Sequence, residues 1–234
     1  QLRADCIHAT GNPVIQTPAL DALAGESAVF ERCYTPSPVC VPARYSMMSG
    51  LYPASTGCSN NQYKGHYEGD GMYARLSANG YHTMGIGKMH FPFKGYELHG
   101  FDERLSQEEF YNEKDSYGNY LLEKGYSNVF DYNGMRSEMY YIPQISQLPA
   151  AVHPTAWIGD RSVEFIKNYS EEKPFFLMSS FIHPHPPFAP PAPWNKLYRD
   201  FMTVEPNVPE NYKEMLTCYN VMQNRYKGLS AGID

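Results

Sequence analysis

The chain has no stretch near the roughly 20 consecutive apolar residues that a membrane-spanning helix requires, so no span is expected. It also lacks any run of lysine and arginine. With 19 basic residues against 25 acidic ones the net charge is −6, which argues against binding to a phosphate backbone and so against nucleic acid as a partner. No signal peptide precedes Gln1. Either the start has been removed or the protein was never exported, and a periplasmic or secreted location is favoured over a cytoplasmic one. Cysteine is sparse: Cys6, Cys33, Cys40, Cys58 and Cys218 show no C-x-x-C spacing, which disfavours a structural zinc site and leaves the redox compartment open. There is no internal repeat.

What is present is a globular composition, 42% hydrophobic over 234 residues, enough for one large domain or two small ones. Strand and helix patterns alternate. Thr17 with Pro18 opens a helix running to about Val29, with Leu20, Leu23 and Ala24 on one face. A strand is expected near Phe30–Tyr34, then a helix entered at Cys40. A helix over Met72–Asn79, closed by Gly80, hands over to a strand at Tyr81–Gly85. Residues 106–149 are rich in Tyr, Asn, Gly and Glu and read as an irregular insertion near the site mouth. Thr155–Asn168 is an amphipathic helix carrying Trp157, Ile158, Val163, Phe165 and Ile166, and Glu210 to about Tyr226 reads as another. This alternation predicts an α/β fold, a mostly parallel sheet covered on both faces.

Three segments carry chemistry. In Cys40-Val41-Pro42-Ala43-Arg44, Pro42 suits the first turn of a helix because its missing N–H would lack a partner there. Cys40 then stands at the helix entrance, and the i, i+4 spacing puts Arg44 on the same face. A group at Cys40 would feel a guanidinium and the positive end of the helix dipole, a setting for an anion. The bland alternative is a buried small hydrophobe beside a solvated surface charge.

Gly85-Ile86-Gly87-Lys88-Met89-His90-Phe91 is the second segment. In an extended chain Lys88 and His90 point the same way, two donors facing one pocket. A P-loop is excluded, since the full pattern is absent and Met89 stands at the hydroxyl position. The third is Phe175 to Phe188, a short aromatic-rich run reading as a buried strand that ends in a proline loop containing His183 and His185. Ligands gather at such strand ends in open α/β sheets.

The first segment, with Thr17-Pro18-Ala19-Leu20-Asp21 upstream and Leu51-Tyr52-Pro53 and Gly57 downstream, resembles the Cys-x-Pro-x-Arg signature of the formylglycine-dependent (type I) sulfatases of the alkaline phosphatase superfamily. Ala19 and Ser49 depart from the pattern, where asparagine and threonine are usual. Gly87-Lys88-Met89-His90 is similar to the family's Gly-Lys-x-His motif, and Gly100-Phe101-Asp102 resembles a tripeptide common downstream of that motif. His185-Pro186-Pro187-Phe188 fits the family's His-x-Pro context better than His183 does.

The resemblance implies an alkaline phosphatase-like three-layer α/β/α sandwich, represented across residues 1–234 by a partial catalytic domain. Matching by Arg3 places Gln1 on the second metal-ligand position, so the preceding aspartate would lie just before this chain, and an Asp-Asn or Asp-His pair and a further lysine would lie beyond Asp234. It also implies that Cys40 is oxidised to formylglycine by a formylglycine-generating or anaerobic sulfatase-maturating enzyme. As a hydrated aldehyde, position 40 would both ligate a divalent ion and attack sulfur. Oxygen ligands favour Ca2+, with Mg2+ the alternative. Arg44 would orient the diol, Lys88 and His185 would hold sulfate oxygens, and His90 would handle the diol proton.

Three functions stay open: hydrolysis of an aryl, alkyl or carbohydrate sulfate monoester; hydrolysis of a phosphonate monoester or phosphodiester, whose enzymes tend to carry uncharged residues where Lys88 and His90 stand; or a non-catalytic anion-binding module with Cys40 unmodified. Tyrosines such as Tyr111, Tyr117, Tyr120, Tyr132, Tyr140 and Tyr141 are candidates for stacking on sugar rings, with ordinary packing as the alternative.

Overall fold

Three parallel strands set the frame: β1 (His82–Gly87), β2 (Glu103–Ser106) and β3 (Phe175–Ser180), in the order β2-β1-β3. They belong to a computed structural model that describes residues 2–63, 70–91, 95–110, 112–136, 140–199 and 210–211. Met84 of β1 stands opposite Glu103 on one side and Leu177 on the other. β1 is buried along its whole length, as expected of a central parallel strand.

The described residues fall into two units. One comprises Arg32–Phe130 and Ala151–Ile182, the other Gln1–Glu31, Asp131–Ala150 and His183–Asp234. The first holds the sheet and the helices α2 (Cys40–Ser49), α3 (Pro53–Thr56), α4 (Met72–Ala78), α5 (Ser116–Glu123) and α6 (Pro154–Asn168); the second holds α1 (Pro18–Gly25).

Alternation along β3 sorts its side chains between two layers. Phe176 and Met178 pack against a core of Val41, Tyr45, Met48, Tyr73, Phe91 and Phe101 from α2, α4 and the loops after β1. Tyr73 stacks on Phe101 at 3.9 Å between ring centres and donates a hydrogen bond to Met178 Sδ. Burial pushes the Tyr73 hydroxyl up to about 12. On the opposite face Phe175 meets Phe165 of α6 edge-on at 5.3 Å, and Ser162 Oγ lies 2.7 Å from Ser179 Oγ. Helices therefore cover both faces, the α/β/α layering that was expected.

Several local expectations are corrected. β1 starts at His82 and runs on to Gly87. β2 has no counterpart in the sequence reading, because Glu-Arg-Leu-Ser is too short and charged to show a period. β3 is only partly buried. α1 ends at Gly25 rather than near Val29, and Leu20 and Leu23 are exposed. No strand forms at 30–34: Phe30 and Tyr34 are 81% and 84% exposed, and aromatic β-propensity expresses itself only on a half-buried pleated surface.

The interval 106–149 is not wholly irregular. It contains α5, whose buried Tyr117 and Leu121 pack inward and whose N-terminus is capped by Asp115 accepting from Gly118 N–H at 2.7 Å. α6 matches its predicted span and buries Trp157 and Ile158, but Val163 and Ile166 are exposed. Cys6, Cys33 and Cys58 are free thiols. Gln1 and the helix expected over 210–226 lie outside the described residues, apart from a turn at 210–211. Among the described residues no helix is long and apolar enough to cross a membrane.

Candidate active site

The C-terminal ends of all three strands supply the site, together with the N-terminus of α2. That helix starts at Cys40 because Val39 is still extended (φ −122°) while its carbonyl already accepts from Ala43 N–H at 3.0 Å. Val39 carries no capping side chain; instead Asn61 Oδ1 accepts from Val41 N–H at 2.9 Å, doing from a distance what a capping residue does locally. Pro42 occupies the first turn, and Gly50 in the left-handed region (φ +73°) closes the helix onto Ser46 O.

Val41, Tyr45 and Met48 face the core. Cys40 and Arg44 lie at the edge of that buried stripe, both half-buried. The thiol is near enough to Arg44 to favour its charged form, so the shared face predicted from the i, i+4 spacing is present. Burial pulls the Arg44 guanidinium below its ordinary value, and Glu108, Cys40, Tyr73 and Glu109 push back. Arg44 Nη1 donates to Lys88 O at 2.6 Å and to Ser180 Oγ at 3.0 Å. One guanidinium thereby joins α2 to the ends of β1 and β3.

Lys88 and His90 do not lie in extended chain, contrary to the expectation from their spacing. The strand stops at Gly87 (φ +94°), and His90 is itself left-handed (φ +50°). At Gly87 the backbone passes so close to β3 that an added Cβ would stand 2.1 Å from Ser180 O. That approach lets Lys88 N–H donate to Ser180 O at 2.9 Å, and the second glycine of the motif is required for it.

The two side chains converge all the same. Lys88, 2% exposed, pairs through Nζ with Glu109 Oε1, and His90 Nδ1 lies 3.8 Å from the same oxygen. Glu108 works on the backbone: its Oε1 accepts from Met89 N–H at 2.9 Å, both its oxygens lie 3.2 Å from His90 N, and Arg104 Nη2 is 3.4 Å away. Asp115 Oδ2 in turn accepts from Glu108 N–H at 2.9 Å, tying the loop after β2 to the start of α5.

Glu108, Glu109, Ser180 and Asn61 were not foreseen. The available signal for the glutamates was their place at the carboxyl end of a parallel strand, hidden because β2 itself was not recognised.

His185 lies in the other unit, in the proline loop after β3, with Nδ1 2.5 Å from Pro186 O. Within that unit the loop is laced to the segment before Ala150: Gln144 N–H donates to Phe188 O at 2.8 Å and Ser146 N–H to Pro190 O at 3.1 Å. Cys40, Arg44, Lys88 and His90 thus belong to one unit, and His185 to the other. Among the described residues no three His, Cys, Asp or Glu side chains form a metal-ligand cluster.

What the arrangement can do is attract an oxyanion: the Arg44 guanidinium lies near a half-buried sulfur at a helix entrance, and the Lys88 ammonium and the His90 imidazole converge on one carboxylate oxygen.

Known proteins resemble the chain over most of its length. The sulfatase family model matches residues 1–225. The chain is 31% identical over 228 residues to an arylsulfatase of Clostridium perfringens, covering 88% of this chain and 46% of that protein. It is 30% identical over 238 residues to a choline-sulfatase of Rhizobium meliloti, covering 92% and 43%. The chain spans less than half the length of these relatives. Among solved structures, the phosphonate monoester hydrolase of Agrobacterium radiobacter superposes with a TM-score of 0.68 at 22% identity, covering 84% of this chain and 42% of that one, a likeness of fold.

Proposed function

The chain belongs to the sulfatase family, and from that premise we propose that the protein carrying it hydrolyses a sulfate monoester, with a formylglycine made from Cys40 as the nucleophile. The observation that carries this reading is the bond from Arg44 to the Lys88 carbonyl. It brings the cysteine signature and the Lys-x-His segment, 44 residues apart in sequence, into a single site.

Position 40 suits the modification, being half-exposed at a helix entrance with a cation one turn on. Once converted, it would supply a hydrated aldehyde: one hydroxyl attacks sulfur and expels the ester alcohol, and loss of the other hydroxyl's proton then releases sulfate and restores the aldehyde, which water hydrates again. Arg44, fixed at both Lys88 O and Ser180 Oγ, orients the group at position 40 and offsets negative charge there. Lys88 holds a sulfate oxygen from a buried position, where a charge-assisted hydrogen bond counts for more than at the surface. His90, on the same side, is placed to move a proton at its Nδ1. His185 is assigned a second sulfate oxygen on the family's His-x-Pro match. A divalent ion, calcium before magnesium, and a maturating enzyme belong to the same proposal. An aryl, alkyl or carbohydrate sulfate is the substrate class.

The charged pair at Lys88 and His90 favours sulfate over a phosphonate or phosphodiester. The test uses the full-length protein expressed with a maturation system. Mass spectrometry of the Cys40 peptide should show a loss of about 18 Da for thiol to aldehyde, and an aryl sulfate should be turned over faster than an aryl phosphodiester. An intact, alkylatable Cys40 would support the anion-binding module instead, and the reverse substrate preference would support the phosphodiesterase.

A further inference from the structure

Glu109 has no part in that reaction, yet it sits at the most charged point of the site. One of its oxygens faces both Lys88 Nζ, assigned above to a sulfate oxygen, and His90 Nδ1, assigned above to a proton. It satisfies only one of them, for His90 Nδ1 is buried and makes no hydrogen bond. The Lys88 side chain is 2% exposed against 17% for Glu109, so the carboxylate covers the ammonium from the solvent side. Glu108 next to it is already committed to the backbone of Met89 and His90 and to Arg104.

We propose that Glu109 is a resident counter-ion which a sulfate ester displaces from Lys88 and His90, so that this residue sets the anion affinity of the site. The inference rests on the sulfatase reading. A sulfate monoester carries a single negative charge, as the carboxylate does, so the exchange leaves the net charge of the site unchanged. Its tetrahedral head offers separate oxygens to Nζ and Nδ1, where the carboxylate presents one oxygen to both. Two anions held at the same donors repel strongly in a partly desolvated pocket, so Glu109 leaves when sulfate enters. Between turnovers it spares Lys88 the cost of a buried, uncompensated charge. The displacement weighs on binding and product release, not on bond cleavage.

The experiment titrates the full-length protein with inorganic sulfate by calorimetry, comparing parent with Glu109→Gln, which keeps the shape and removes the charge. Sulfate affinity should rise by about tenfold or more, and sulfate should raise the variant's thermal midpoint more than the parent's. With an aryl sulfate, KM should fall, and inorganic sulfate should inhibit the variant at a lower concentration than the parent. Equal or weaker sulfate affinity in the variant overturns the proposal, since a merely structural ion pair would lower stability without tightening sulfate. Should the glutamine variant fail to fold, Glu109→Asp, which withdraws the carboxylate from Lys88, carries the same expectation and the same refutation. Tightened sulfate binding without aryl sulfate turnover in the parent keeps the counter-ion and overturns the sulfatase reading. Turnover with unchanged sulfate binding does the opposite.

Discussion

Gly87→Ala is the sharpest test of how the site is assembled. The added methyl would stand 2.1 Å from Ser180 O and 3.0 Å from Ile158 Cδ1, at a residue with φ +94°. Holding an L-residue in that left-handed region costs about 1 to 2 kcal/mol. Relieving the overlap with a backbone carbonyl costs about 1 to 3 kcal/mol more. Separation of the strands also breaks the Lys88 N–H bond to Ser180 O, worth about 1 kcal/mol. A destabilisation of roughly 3 to 6 kcal/mol is therefore expected from these combined effects. Gly80→Ala is the control: its φ is +88° but nothing lies within 4 Å of the added Cβ, so it should lose only the conformational part, about 1 to 2 kcal/mol. Urea denaturation of the two variants in the full-length protein gives both numbers. If Gly87→Ala is no less stable than Gly80→Ala, the close approach of β1 to β3 is not what places Lys88.

Arg44→Lys keeps a cation but loses the fork that reaches both Lys88 O and Ser180 Oγ; steady-state kinetics should show kcat/KM down by roughly 100-fold, from the loss of about 2 to 3 kcal/mol. Lys88→Ala and His185→Ala should each lower sulfatase turnover by about 100- to 1,000-fold, the cost of one oxyanion donor, with far-UV circular dichroism unchanged; near-parental activity would refute those roles. Asp102 accepts from Ser77 Oγ and Thr83 N–H at 2.7 and 2.8 Å. Partial burial works to raise its carboxyl, but the bonds from Ser77 and Thr83 prevail and hold it below the ordinary aspartate value of 3.8. The stability it contributes is thus present above that pH and lost as pH falls through the lowered value. Thermal melts should therefore show Asp102→Asn destabilised by roughly 1 kcal/mol at neutral pH, the gap closing in strong acid.

Legibility in the sequence followed the range of the interactions. α2 and α6 were readable because a proline near the start and a sustained period are local signals. So was the Cys40–Arg44 face, which four residues of helix fix by themselves. The turn at Gly87 was not: its left-handed backbone depends on the Ser180 carbonyl, and nothing within a few residues of Gly87 reports a strand that lies far along the chain. Glu109 was missed for the same reason, its partners being Lys88 and His90 across the strand ends. The expected strand at 30–34 erred in the other direction, since aromatic residues mimic a strand wherever they cluster and only a neighbouring surface decides.

The clamps around residues 88–90 hold main chain. Arg44 grips the carbonyl of Lys88, Ser180 O takes its N–H, and Glu108 takes the N–H groups of Met89 and His90. The side chains at 88 and 90 are passengers on a fixed track. Evolution or a protein engineer can exchange them to retune charge and substrate preference while the scaffold beneath keeps its course.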